Sequence, residues 1–357
     1  MKNKKLMILS DSIFLTTGFS TQMLFLCNAL NEKYGYEIWY NSPSYVGQEL
    51  PKGCVKLQDN TPVNFTILGN GREQYCKDLL LPRIQAIKPD VFITLLDTFM
   101  VYPWYFQMDF SPAKTCFWFP SDGGNGMPND CEKILQKVYY PIAMSKFAQK
   151  QVKDIHNIQT DYIPHAVDHN LFKPFNQEEK EKVKAKYGLS GKFVVGLVGR
   201  NQGRKMHDRA IKAFAKWCKP HQEAVLLVHA DPYDSAAVFD TFKLIQTLGI
   251  QNRVMFTGMR YFQTFPYQQL QEIYNLMDIY LSSTSGEGFG VCTIEAMACE
   301  IPVLNTAYTT TDELITNHQA GEPIKLVGTE YVNIFYFTSK EYYWKMMNGT
   351  ITGSWTV

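Results

Sequence analysis

The chain carries almost no net charge. Its 35 lysines and arginines face 34 aspartates and glutamates, a formal charge of +1, so no whole-molecule field draws in nucleic acid or an anionic membrane surface. An anionic ligand has to be caught locally. The eight cysteines contain no Cys-x-x-Cys pair and no histidine at metal spacing. That excludes zinc-ribbon and redox-motif classes and leaves buried thiols of a reducing, cytoplasmic compartment. No run approaches the roughly 18 apolar residues of a membrane span. After the basic start from Met1 to Lys5, only Leu6-Met7-Ile8-Leu9 precedes Ser10-Asp11, which is short for a signal peptide and suits a first buried strand. With no transmembrane segment, membrane contact is limited to a peripheral kind. The low hydrophobicity and high charge of disordered chains are missing too, since 45% of the residues are hydrophobic and 19% charged.

What is present is length and alternation. At 357 residues the chain exceeds what one core commonly supports, so two domains are expected. Short β-rich runs at Lys5–Ser10, Glu37–Tyr40, Asp90–Leu96, Thr115–Phe119 and Ile142–Ser145 alternate with helical periodicity near 20–33, 72–88, 131–138 and 146–156. This βαβ order implies a parallel sheet covered by helices. The alternation pauses where Pro174 precedes Asn176-Gln177-Glu178-Glu179, a capping box for a charged helix that Gly188 ends. It then restarts with strands at Phe193–Val198, Ala224–Val228, Val254–Thr257, Ile279–Ser282 and Val303–Asn305. Between them Ile211, Phe214, Ala215 and Cys218 fall at i, i+3, i+4, i+7, and further helices are expected near 235–248, 267–277, 291–299 and 311–317. The expected architecture is α/β: two doubly wound, Rossmann-like domains at 1–172 and 191–330, a hinge or linker helix at 173–190, and a tail at 331–357. Open α/β sheets bind ligands at the carboxyl ends of their strands.

Two segments carry the chemistry. The first runs Ser283-Thr284-Ser285-Gly286-Glu287-Gly288-Phe289-Gly290-Val291-Cys292-Thr293-Ile294-Glu295. It leaves a strand, crosses a glycine-rich loop and enters a helix, whose first N–H groups suit a phosphate. Glu287 and Glu295 would lie about 12 Å apart along a continuous helix. That is too far for one carboxylate pair but suits the two ends of a nucleotide sugar, with Glu295 at the ribose and Glu287 at the sugar. The plainer alternative is a strand–turn–helix joint with two solvated glutamates. The second segment, Gly199-Arg200-Asn201-Gln202-Gly203-Arg204-Lys205, directly follows a strand. It can set a guanidinium and an ammonium on a diphosphate, or it can be a basic surface turn. It matches neither a Walker A loop nor the Gly-x-Gly-x-x-Gly fingerprint.

The Glu-x7-Glu segment, continued by Glu295-Ala296-Met297-Ala298-Cys299-Glu300-Ile301-Pro302-Val303-Leu304, resembles the signature of retaining glycosyltransferases of family 4. Arg200 with Lys205 is similar to that family's diphosphate-binding pair. Ile163-Pro164-His165-Ala166-Val167-Asp168 through Pro174 resembles the close of its first domain. Val254-Met255-Phe256-Thr257-Gly258 resembles the strand after which it holds the nucleotide base, and Asp312-Glu313-Leu314-Ile315 fits the helix beyond the signature. The resemblance is good from about 140 to 325.

The resemblance implies a GT-B fold, two Rossmann-like domains facing each other across a cleft. It implies transfer of a hexose from a nucleoside diphosphate sugar to a hydroxyl of a glycan or other acceptor, with no cofactor and no metal. The donor inclines to GDP-mannose ahead of a UDP-sugar. Residue by residue, Glu287 would contact the donor sugar, while Gly288, Phe289, Gly290, Val291 and Cys292 would offer backbone N–H groups to sugar and phosphate. Arg200 and Lys205 would stabilise the leaving diphosphate, Glu295 would bind the ribose, and Met259, Arg260 and Tyr261 would hold the base. No Asp-x-Asp occurs in the chain, so the ligands of metal-clamped transferases are missing.

Three departures are visible. The first loop, Thr16-Thr17-Gly18-Phe19, has one glycine where the family has two adjacent ones, leaving Gly18 for donor contact. Pro120-Ser121-Asp122-Gly123-Gly124 stands where a histidine is common, so Asp122 takes over a polar role near the reacting carbon or simply belongs to a turn. Glu300 replaces a glycine at a helix end. Readings from other classes stay open: a nucleotide-sugar epimerase or hydrolase of the same fold, and a catalytically silent sugar-nucleotide-binding protein. A glycosidase would need its carboxyls within roughly 5–10 Å of each other.

Overall fold

A computed structural model describes residues 4–15, 17–56, 62–124, 126–127, 130–260 and 265–326. The expected tail at 331–357 therefore lies outside the described residues. The chain divides into two compact units, the second beginning at Ala166.

The first unit is built on seven parallel strands: β1 Lys5–Ser10, β2 Glu37–Asn41, β3 Thr66–Leu68, β4 Val91–Leu95, β5 Lys114–Phe119, β6 Tyr140–Ala143 and β7 Asp161–Tyr162. They lie in the order β3-β2-β1-β4-β5-β6-β7. The central strands are largely apolar because both faces are covered, and Met7, Ile8 and Leu9 are wholly buried. Helices close the layers. Thr17 and Ser20 form a capping box at the start of Gly18–Tyr34, which Gly35 ends at φ 66°. Leu80 and Ile84 of Lys77–Ile87 pack with Phe92, Phe117 and Tyr105 in one core. The strand expected at Ile142–Ser145 begins two residues earlier and stops at Ala143. Ser145 is needed elsewhere: its hydroxyl accepts the Ala148 N–H at 3.1 Å and caps the helix Lys146–His156.

The second unit repeats the plan with six parallel strands: β8 Phe193–Val198, β9 Ala224–His229, β10 Val254–Phe256, β11 Ile279–Ser282, β12 Val303–Thr306 and β13 Gly321–Ile324. Their order is β10-β9-β8-β11-β12-β13. Helix His207–Trp217 buries the apolar face that its periodicity announces, with Ile211, Phe214 and Ala215 against Leu226 and Val228. The helix expected over 235–248 is shorter, Thr241–Thr247, because Asp240 caps it by accepting the Lys243 N–H at 3.0 Å.

The segment expected as a linker belongs to this second unit. Asn176 and Glu179 form the capping box of Gln177–Lys186. Lys184 reaches Asp278 at 2.8 Å, and Asn275 accepts the Phe175 N–H at 2.7 Å. In both sheets the strand order reverses at the first strand, between β1 and β4 and between β8 and β11. Loops leaving neighbouring strands at such a reversal diverge and open a crevice.

Candidate functional site

The two chemistry-bearing segments of the sequence leave the carboxyl ends of β8 and β11, the pair at the reversal point of the second sheet. Gly199 makes the first bend at φ 140°, a conformation that disfavours any side chain. Gly196 in β8 leaves room for the side chain of Met277, just before β11; its sulfur would lie 2.0 Å from a Cβ there.

The loops are sewn together by their own hydroxyls. Ser283 donates to the Met206 carbonyl at 2.8 Å, the Ser285 N–H donates to the Arg204 carbonyl at 2.8 Å, and Thr284 donates to the Gly286 carbonyl at 2.8 Å. Glu287 is held at the centre of this fabric. Its backbone N–H donates to the Thr309 hydroxyl at 3.1 Å, Arg204 donates to its Oε2 at 3.1 Å, and Lys205 Nζ donates to its Oε1. Burial pushes its carboxyl up, but the charges of Lys205 and Arg204 and their hydrogen bonds outweigh that and hold it at about 2. Glu287 is an anion at any physiological pH.

Gly288 to Cys292 lead into the helix Val291–Ala298. Gly290 precedes it at φ 103°, and its first turn has neither a side-chain cap nor an acidic residue. The amide end of this helix therefore faces the loop without a resident carboxylate. Cys292 contributes no thiolate, because burial pushes its thiol up to about 12.

Glu295, one turn further on, is 7% exposed, as is Glu287, so neither is a solvated glutamate. Burial pushes Glu295 up to about 7 against the opposing effect of the Tyr274 hydroxyl, which donates to Oε2 at 2.6 Å. The two carboxylates thus sit in opposite environments, one charged and gripped by cations, the other desolvated beside a phenol.

Arg200 meets a buried partner that sequence spacing does not reveal. Its Nε and Nη2 donate to Asp234 at 2.9 and 3.2 Å. A bidentate pair of this kind fixes the guanidinium plane. Lys205 is the other expected phosphate ligand, and it points at Glu287. The basic cluster is therefore ion-paired and partly enclosed, unlike a solvated surface turn.

At the end of β10, Arg260 lies over the Tyr233 ring at 4.8 Å and reaches Asp231 at 3.4 Å. Met259 is its neighbour in the same loop, while Tyr261 lies outside the described residues. Two expected residues, Gly18 and Asp122, are in the first unit. Gly18 opens a capped helix. Asp122 sits half-buried in a turn whose Gly123 and Gly124 adopt φ 120° and 84°, and Gln151 secures that turn by donating to the Gly124 carbonyl at 2.8 Å. His165, His207 and His229 are buried, and burial holds them near 3, 4 and 4 respectively, with Lys205 adding to the effect at His207. They stay neutral. Among the described residues no group of three or more His, Cys, Asp or Glu side chains is placed to hold a metal, and no helix is long and apolar enough to cross a membrane.

Residues 179–326, which contain every element of this second site, match the family model "Glycosyl transferases group 1". That stretch is similar to group 1 glycosyltransferases. Curated relatives include the mannosylfructose-phosphate synthase of Agrobacterium fabrum, 27% identical over 41% of this chain and 32% of that protein. Another is the lipopolysaccharide core biosynthesis mannosyltransferase LpcC of Rhizobium leguminosarum, 27% identical over 45% of this chain and 44% of that protein. The chain thus spans less than half the length of these curated relatives. Solved structures extend the likeness to both units. A glycosyltransferase of Rickettsia africae matches with a TM-score of 0.68 at 19% identity, over 91% of this chain and 85% of that one. Anabaena HepE in complex with UDP and glucose matches with a TM-score of 0.64 at 16% identity, over 88% and 83%. The fold of the two units is that of the GT-B structures.

Sequence reasoning passes over Arg204, Asp234, Tyr274 and Thr309. Arg204 stands beside Lys205 in the motif, but its target is 83 positions away. The other three act through folding contacts that no local spacing encodes.

Proposed function

We propose that the chain is a retaining hexosyltransferase that uses a nucleoside diphosphate sugar, with GDP-mannose as the first donor to test and a UDP-sugar as the second. The observation that carries this reading is the buried Glu287, held by two cations in the loop that leads to the uncapped amide end of Val291–Ala298. In one crevice the site offers a carboxylate for sugar hydroxyls and positive groups for a diphosphate. The mannosyl relatives incline the sugar to mannose, and the HepE complex supports UDP as the alternative.

In the proposed reaction the bond from the anomeric carbon to the diphosphate oxygen breaks, and its electron pair stays on the phosphate. Arg200, Lys205 and the helix amides meet the charge as it grows, so they act more strongly in the transition state than before it. The acceptor hydroxyl attacks from the same face and passes its proton to the departing phosphate. No protein nucleophile and no metal are needed. Glu287 orients the sugar through its hydroxyls, Glu295 accepts from the ribose, and Met259, Arg260 and Tyr261 line the base. The donor contact of Gly18 and the polar role of Asp122 near the reacting carbon rest on the sequence resemblance.

A thermal-shift panel of GDP, UDP, ADP and their sugars tests the donor, because a ligand binding only the folded state raises its melting temperature. GDP and GDP-mannose are expected to give the largest shifts. Product analysis with and without acceptor sugars then separates transfer from hydrolysis or epimerisation. Binding with no turnover under any acceptor would favour the silent binding protein.

A further inference from the structure

We propose that Tyr274 is the positioning residue that makes the site selective for ribose. The proposal rests on the reading of Glu295 as the ribose ligand. Tyr274 belongs to helix Tyr267–Asn275, is fully buried, and donates to Glu295 Oε2 at 2.6 Å. A phenol has one proton to give, so it fixes one carboxylate oxygen and leaves Oε1 as the acceptor that can face a ligand. Burial raises Tyr274 well above its ordinary range, which keeps it a donor.

The phenol cannot wander. Its ring meets Phe172 edge-on at 5.8 Å, with an interplanar angle of 78°. The next residue, Asn275, locks the helix end by accepting the Phe175 N–H at 2.7 Å and donating to the Lys173 and Gln271 carbonyls at 3.0 Å each. Glu295 therefore has a fixed rotamer before any ligand arrives. A sugar lacking the paired hydroxyl, presented to such a preset, desolvated acceptor, would leave it unpaired, which is how a buried polar site rejects an analogue lacking one group.

The test measures the affinity of GDP and UDP against their 2′-deoxy and 3′-deoxy forms by calorimetry, in wild type, Tyr274→Phe, Glu295→Gln and the double variant. Wild type is expected to prefer at least one ribo form over its deoxy form by about tenfold or more. Tyr274→Phe is expected to cut that ratio to about twofold or less while affinity for inorganic pyrophosphate is kept. In the Glu295→Gln background the second substitution is expected to change nothing further, because Tyr274 acts through Glu295. If Tyr274→Phe alone fails to fold, Tyr274→Met, which fills similar space without a hydroxyl proton, takes its place in the same comparison with the same expected loss of the ratio. A wild-type enzyme indifferent to the ribose hydroxyls would overturn the reading of Glu295 itself. Discrimination that survives Tyr274→Phe, or effects that simply add, would overturn the role of Tyr274 alone.

Discussion

Glu287 and Glu295 show how one loop and one helix give two carboxylates opposite environments. They are identical in chemistry and eight positions apart. Glu287, between Arg204 and Lys205, is held at about 2; Glu295, desolvated beside Tyr274, rises to about 7. Environment, and not residue type, makes one a fixed anion and the other a weaker acid; the proposed reading gives the first to the sugar and the second to the ribose. This makes a sharp expectation for Glu287→Ala: kcat falls by roughly a hundredfold or more, as for an interaction made with the reacting sugar. Affinity for the nucleoside diphosphate stays the same or tightens, since the substitution frees Lys205 and Arg204. Equal loss of turnover and affinity, measured by steady-state kinetics beside calorimetry, would sink the assignment. The carboxylates themselves were legible in the sequence through their spacing in a glycine-rich joint. Their partners were not, because Asp234 lies 34 positions from Arg200 and Tyr274 lies 21 from Glu295, and only the folded sheet brings them together.

Among the elements, the long buried strands and amphipathic helices were readable because their periodicity is set by burial. The missed strands are the short outer ones. β3 has three residues, β7 two and β13 four, and all three are edge strands; the equally short β10 was legible through its unbroken Val254-Met255-Phe256. β13 also contains Gly321, where a Cβ would meet the Val303 carbonyl oxygen at 1.9 Å, so its glycine marks close backbone approach and reads locally as a turn. One helix end shows the reverse, a residue kept against local preference. Glu300 follows Val291–Ala298 at φ 56°. Its N–H donates to the Met297 carbonyl at 2.9 Å, and the Ile301 N–H donates to the Ala296 carbonyl at 3.0 Å. That pair of bonds is a Schellman closure, whose left-handed position favours glycine. Glu300→Gly is expected to stabilise the protein by roughly 0.5–1 kcal/mol after its extra unfolded-state entropy is counted. That corresponds to a rise of about 1–4 °C in Tm by calorimetry; a lower Tm would contradict it.

At the scale of the molecule, the order of the first six strands of the first sheet recurs in the second, and each unit has its own buried core. The matched family stretch and the paired loops lie in the second. Nucleoside diphosphate without acceptor is therefore expected to slow amide exchange over 199–206 and 283–295 and to leave β1 to β7 unchanged, as read by hydrogen–deuterium exchange. Protection centred on the first sheet instead would move the donor site. The near-zero charge of the chain is mirrored locally, for the cations that matter are matched by Asp234 and Glu287. Seen this way, Glu287 is a tethered rival for any incoming anion. Free phosphate or sulfate has to win Lys205 from a carboxylate that is always present and pre-aligned. In the proposed reading a nucleotide sugar offers its phosphate to the lysine and gives Glu287 sugar hydroxyls in return, so the site is expected to bind small inorganic anions more weakly than a bare basic pocket would.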